Sequence, residues 1–191
     1  MSRAEDLVID ELGKFGLRCE RFSKKETRLR KTPDLRVYKA DRFAFFCEVK
    51  EIAKDPWSGG LRSDPIFNRL TDDIHTAIAQ FDSVNPFLEH PNVLAFINND
   101  RNCGSLDLIG VTTGLLLIEG GGAAAVYQIY SEGRIRDEKK RIHLYLWYDS
   151  FKANKIMFNP SDKRHWSRLC NYFNLDLNKI KTIGSKQTPD S

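Results

Sequence analysis

Five consecutive apolar residues, Val93 to Ile97, are bounded by Pro91 on one side and by Asn98, Asn99 and Asp100 on the other. The run is short for a helix and leaves no face to turn toward water, so it predicts a buried strand near the centre of a sheet. Upstream, Leu7, Val8, Leu12 and Phe15 stand at helical spacing within Ala4 to Phe15, ahead of Gly16, a residue suited to a left-handed cap. Leu17 to Phe22 fits a first strand. Ser23 to Lys31 is polar and mostly basic, which predicts an exposed loop. Asp34 to Tyr38 and Phe43 to Ile52 are rich in β-branched and aromatic residues, and the short Lys39-Ala40-Asp41-Arg42 connection makes them a hairpin.

Beyond the hairpin, Ala53 to Pro65 carries Pro56, Gly59, Gly60 and Pro65 and predicts a mobile loop. Ile66, Leu70, Ile74, Ala77, Ile78 and Phe81 then mark one stripe of a second helix, closed by Asn85-Pro86. Ser105 to Leu117 predicts a third helix, against the cost of Gly110 and Gly114, and Gly120-Gly121-Gly122 breaks the chain. His143 to Tyr148 alternates as a strand, and Trp166, Leu169, Cys170 and Phe173 set out a last helix. Together these elements predict an α/β fold, a central mixed sheet of about four or five strands flanked by helices. Residues 1–180 are expected to form a single domain, with 181–191 as a frayed tail.

Charge narrows function only a little. Thirty basic residues against 26 acidic ones leave a net +4, which excludes a self-repelling disordered chain and leans toward polyanionic partners. No apolar run approaches the ~18 residues of a membrane span, and the Met1-Ser2-Arg3-Ala4-Glu5-Asp6 start lacks the order of a secretory signal, so no membrane partner and a cytoplasmic location are expected. Cys19, Cys47, Cys103 and Cys170 are too scattered for a zinc site or a disulfide scaffold. The four histidines lack the spacing of a metal cluster, and the glycine run lacks the Lys-Ser/Thr of a phosphate loop. Trp147 and Trp166 sit on regular stripes, which predicts core positions.

Chemistry concentrates in the hairpin. Pro33-Asp34 opens one strand and Glu48-Val49-Lys50 ends the next, so three ionisable side chains converge at one end of the sheet. Alternation places Phe46, Glu48 and Lys50 on one face and Phe45, Cys47 and Val49 on the other, against the core. Asp34 beside Glu48 puts two like charges at short range, which raises one carboxyl's pKa or recruits a cation. Hard oxygen ligands with waters kept in place suit Mg²⁺, or Mn²⁺ as its substitute, and such an ion polarises a phosphoryl oxygen and acidifies water. Lys50 would then orient or deprotonate the attacking water and help hold the phosphate.

In these residues the sequence resembles the PD-(D/E)xK nuclease superfamily, the restriction-endonuclease-like phosphodiesterases, with thirteen residues separating Asp34 from Glu48. The likeness covers about the first hundred residues and extends to an opening helix with an acidic residue, the glycine after it, and a helix bearing Gln80. It implies a restriction-endonuclease-like core in αβββαβ order and a metal held by Asp34, Glu48 and the Val49 carbonyl, with Lys50 serving catalysis. It also implies a helix acid, best matched by Glu5 from its interval to Gly16, with Glu11 as the rival. At ~100° per residue Glu11 falls inside the arc from Leu7 to Phe15, whereas Glu5 lies at its edge beside Leu12. The first turn of a helix welcomes negative charge, which favours Glu5.

Basic residues crowd the approach to this motif. Lys24, Lys25, Arg28, Arg30 and Lys31 suit a phosphate backbone as well as a solvated loop, with Arg62 and Arg69 on the other flank, and Gln80 resembles a position that touches nucleic acid or the active site. The expected function is therefore a divalent-metal-dependent endonuclease acting on DNA, with RNA left open, and a homodimer is an arrangement the resemblance allows. The alternative is an inactive nucleic-acid-binding or assembly module that keeps the nuclease fold.

Overall fold

The computed structural model describes residues 3–54, 65–118, 122–125, 134–159 and 162–180. Most of the expected 53–65 loop, with Arg62, and the tail from Lys181 lie outside these residues. The chain is α/β, built on a six-stranded mixed open sheet flanked by helices. In chain order come α1 (Arg3–Gly13), β1 (Leu17–Arg21), α2 (Lys24–Leu29), β2 (Leu35–Lys39), β3 (Arg42–Ile52), α3 (Pro65–Val84) and β4 (Asn92–Asn98). Then follow α4 (Ser105–Thr113), β5 (Leu115–Ile118), β6 (Gly122–Ala125), β7 (Leu144–Asp149), β8 (Lys155–Phe158) and α5 (Trp166–Tyr172).

Strand order across the sheet is β1-β2-β3-β4-β7-β8. The first three strands form an antiparallel meander, β3, β4 and β7 run parallel, and β8 returns antiparallel along β7. Every residue of β4 is buried, as its unbroken apolar run requires. Helices α1 and α5 cover one face, where Val8, Leu12, Leu169 and Phe173 pack on Phe45, Cys47, Ala95 and Leu146. Helices α3 and α4 cover the other, where Leu70, Ile74, Phe81 and Leu108 meet Leu94, Phe96 and Trp147. Among the described residues no helix is long and apolar enough to cross a membrane.

Four sequence expectations change. The sheet has six strands rather than four or five, and β5 and β6 pair as a separate two-stranded sheet. Ser23–Lys31 is no simple loop, because Ser23 caps α2 through a reciprocal box with Glu26, which satisfies the free amides at its start. The third helix stops at Thr113, where Gly114 turns left-handed at φ 74°, so Leu115–Leu117 becomes strand instead of helix. On α1 the buried stripe is Ala4, Val8 and Leu12, while Leu7 is 39% exposed. That rotation takes Glu11 out of the apolar arc.

Candidate active site

Register assembles the site. Leu35 on β2 pairs with Cys47 on β3, so the next position outward sets Asp34 opposite Glu48, and alternation turns Glu48 and Lys50 toward α3. The Asp34 amide donates to Glu48 Oε2 at 3.1 Å, and the Val49 amide donates to Asp34 Oδ2 at 2.8 Å. Lys50 Nζ donates to Glu48 Oε1 at 2.7 Å and to Gln80 Oε1 at 3.4 Å. The Gln80 amide nitrogen donates in turn to the Thr32 carbonyl at 3.0 Å. Asp34, Glu48, Val49, Lys50 and Gln80, separated by up to 46 positions in sequence, thus form one connected group.

Glu48 is 2% exposed, and its electrostatics follow from that. Burial, then the neighbouring Asp34 charge, push its carboxyl up to about 8, against the pull of Lys50. Burial also raises Asp34, with the Glu5 charge adding to the effect and the Val49 amide opposing it. Two acids facing one ammonium leave a deficit of positive charge, met near neutral pH by a proton on the pair. A hard divalent cation fits the same deficit. Asp34, Glu48 and the Val49 carbonyl would hold it, with waters completing the shell, as Mg²⁺ or Mn²⁺ tolerates. Among the described residues no three His, Cys, Asp or Glu side chains gather closely enough to cage an ion unaided.

The helix acids separate clearly. Glu5 accepts from Arg21 Nε at 2.8 Å and lies close enough to Asp34 for its charge to be felt there. Glu11 pairs with Lys14 at 2.5 Å and influences Tyr148 instead. The structure therefore brings Glu5 to the margin of the group, clamped by Arg21, and leaves Glu11 apart from it.

Lys24, Lys25, Arg28, Arg30 and Lys31 are exposed on α2 and the segment after it. Arg30 donates to the Ser83 carbonyl at 3.1 Å, and the Ser83 hydroxyl donates to the Lys31 carbonyl, so this segment runs along the C-terminal half of α3 toward Asp34. Arg69 is occupied at the other end of α3, on the carbonyls of Glu51 and Ala53, both at 3.2 Å.

Sequence reasoning missed Thr32 and Asp73. Burial raises the Asp73 carboxyl while the Lys50 and Arg69 charges lower it, and its Oδ2 is buried without a partner among the described residues. Asp73, Ala77 and Gln80 share one face of α3, the signal that was available. The histidines take structural places: His75 pairs with Glu138 at 2.5 Å, and His143 and His165 face each other in the interior at 4.6 Å between rings. Trp147 and Trp166 are core residues, as expected, and all four cysteines are free. Comparison of the chain with family models, curated proteins and solved structures finds no match.

Proposed function

We propose that this chain is a divalent-metal-dependent endonuclease of the PD-(D/E)xK type, hydrolysing phosphodiester bonds in DNA. The observation that supports it most is the meeting of Asp34, just ahead of β2, with Glu48 and Lys50 on the paired β3, with Lys50 Nζ 2.7 Å from Glu48 Oε1. A bound Mg²⁺ would polarise a phosphoryl oxygen and acidify a water. The chain's own part is to fix the donors. The Val49 amide orients the Asp34 carboxylate, the Asp34 amide orients Glu48, and Gln80 holds the Lys50 ammonium beside them. An ammonium so placed stabilises charge developing on the phosphate and orients the attacking water. The exposed cations of α2 supply backbone attraction that falls with salt.

One observation favours a second reading. Every group of the site already has an internal partner, with Lys50 on Glu48 and Asp34 on the Val49 amide, as suits a binding module that keeps the fold without turnover. The test is incubation of supercoiled plasmid with Mg²⁺ or Mn²⁺ beside calorimetric titration of the ion. Nicking that disappears in Lys50→Ala is expected. Equal nicking by Lys50→Ala refutes the assignment, and DNA affinity without ion binding selects the module.

A further inference from the structure

The face that carries Glu48 and Lys50 continues along β3 as an aromatic surface. Phe46 stands two residues before Glu48 on that face, roughly 7 Å along the strand. Its ring lies 4.7 Å from Phe43, which in turn lies 5.6 Å from Tyr38 and 4.6 Å from His90. With Arg36 and the Val84–Phe87 segment, these rings line an open cleft of about 540 Å³, in the range of small-ligand sites. Phe87, at its edge, is 81% exposed. Phe43, Tyr38 and Phe87 belong to neither hydrophobic core, and Phe46 touches one only in part. Tyr38, Phe43 and Phe46 are half-buried, and an aromatic cleft partly open to water next to a reactive constellation marks a binding surface.

Its surroundings specify the occupant. The Arg36 guanidinium lies 3.7 Å over the Phe22 ring and is paired with Glu26 of α2, which fixes α2 beside the cleft. Lys24, Lys25, Arg28 and Lys31 are exposed there and make no ion pairs among the described residues. Glu89 also lines the cleft, and it repels phosphate. Rings lining the cleft, cations on the helix tied to its Arg36 and the carboxyl pair further along β3 describe a site for bases and phosphates. Within a duplex, bases stack on one another and offer only their edges, so protein rings reach base faces only where a strand is unpaired.

We propose that the Tyr38–Phe43–Phe46–Phe87 cleft takes an unstacked base of single-stranded DNA, with the backbone passing the α2 cations on its way to Asp34 and Glu48. This rests on the nuclease reading for the strand's path and names the substrate class of that same site.

The test needs no catalysis. The full chain in EDTA is titrated against a single-stranded DNA oligonucleotide containing 2-aminopurine, its duplex, and the RNA of the same sequence. Anisotropy reports affinity, and 2-aminopurine emission reports stacking. The expected result is tenfold or greater preference for the single strand over the duplex, quenched emission on binding, and a loss of about tenfold in Phe43→Leu/Phe87→Ala, the scale of one base–aromatic stack. Equal affinity for strand and duplex overturns the proposal, as does wild-type affinity in the variant. Should the double variant melt early, Phe87→Ala alone decides, since its ring is largely in water. RNA binding tenfold tighter than DNA overturns the DNA assignment. Absent Mn²⁺-dependent nicking with this binding intact refutes the nuclease reading and leaves the cleft standing; nicking with the binding absent does the reverse.

Discussion

Replacing Glu48 by Gln should make the protein more stable above neutral pH. Glu48 holds its proton in the folded state up to about 8, whereas in the unfolded chain it ionises near its ordinary 4.5. The folded state therefore binds the proton more tightly, and stability present below pH 4.5 is lost as pH rises toward 8. Histidine works the other way in part of that range. Burial lowers His143 to about 4 and also lowers His90 and His165, so folding gains stability from them as pH rises to their ordinary value of 6.5. Above 6.5 they shed their remaining protons in the unfolded chain, which opposes the decline, while the lowered carboxyls Asp149 and Asp162 are ionised in both states. Glu48→Gln keeps these contributions, so the difference between the two proteins from pH 6.5 to 8 belongs to the Asp34–Glu48 pair. At ~1.4 kcal/mol per unit, that difference amounts to about 2 kcal/mol. Urea unfolding in EDTA at half-unit steps should show the wild type losing that much relative to Glu48→Gln across the window. A variant whose stability follows the wild-type profile without diverging from it refutes the argument.

Ala40 and Asp41 at the β2–β3 turn have φ of 47° and 61°, a left-handed pair that costs an alanine about 1 kcal/mol, so Ala40→Gly should raise the urea midpoint by a corresponding amount with the m-value unchanged. Changing Lys24, Lys25, Arg28 and Lys31 together to Ala should weaken DNA binding and reduce the slope of log affinity against log salt by about 3 for a single strand, at ~0.7 per phosphate contact; an unchanged slope would show that α2 does not meet the backbone.

How much of this was legible in the sequence depended on whether the signal was local. The apolar run 93–97 and the alternation of 43–52 report burial on two faces and on one, so β4 and β3 were readable, as was the convergence of Asp34 with Glu48. Helix α2 was hidden because none of its residues is buried and no apolar stripe announces it; only the Ser23-to-Glu26 capping spacing did. Strand β5 was hidden because Leu115–Leu117 continues a helical apolar pattern past the point where Gly114 turns the chain. On α1, Leu7 outweighed the small Ala4 in a count of apolar residues, although Ala4 is the one that fits beneath the sheet. Pairs such as Gln80 with Thr32, or His143 with His165, are made by strands and helices meeting across the fold, and no local period encodes them.

Gln80 shows what that non-local information contributes to the site. Its side-chain nitrogen is committed to the Thr32 carbonyl, which fixes the amide orientation and leaves its oxygen facing Lys50. Lys50 therefore has two acceptors, the nearer on Glu48 and a second on α3 that does not depend on Glu48's charge. When Glu48 is protonated, or turns its oxygens to a cation, the ammonium keeps an anchor and stays at the mouth of the group instead of swinging into solvent. Thr32 holds its place because the chain on either side is tied, by Arg30 and Lys31 to Ser83 and by Asp34 to β3. The segment ahead of the Asp34 strand thus carries exposed cations on its outer side while its backbone sets the position of the lysine within, which links the basic surface to the carboxyl pair through one short stretch of chain.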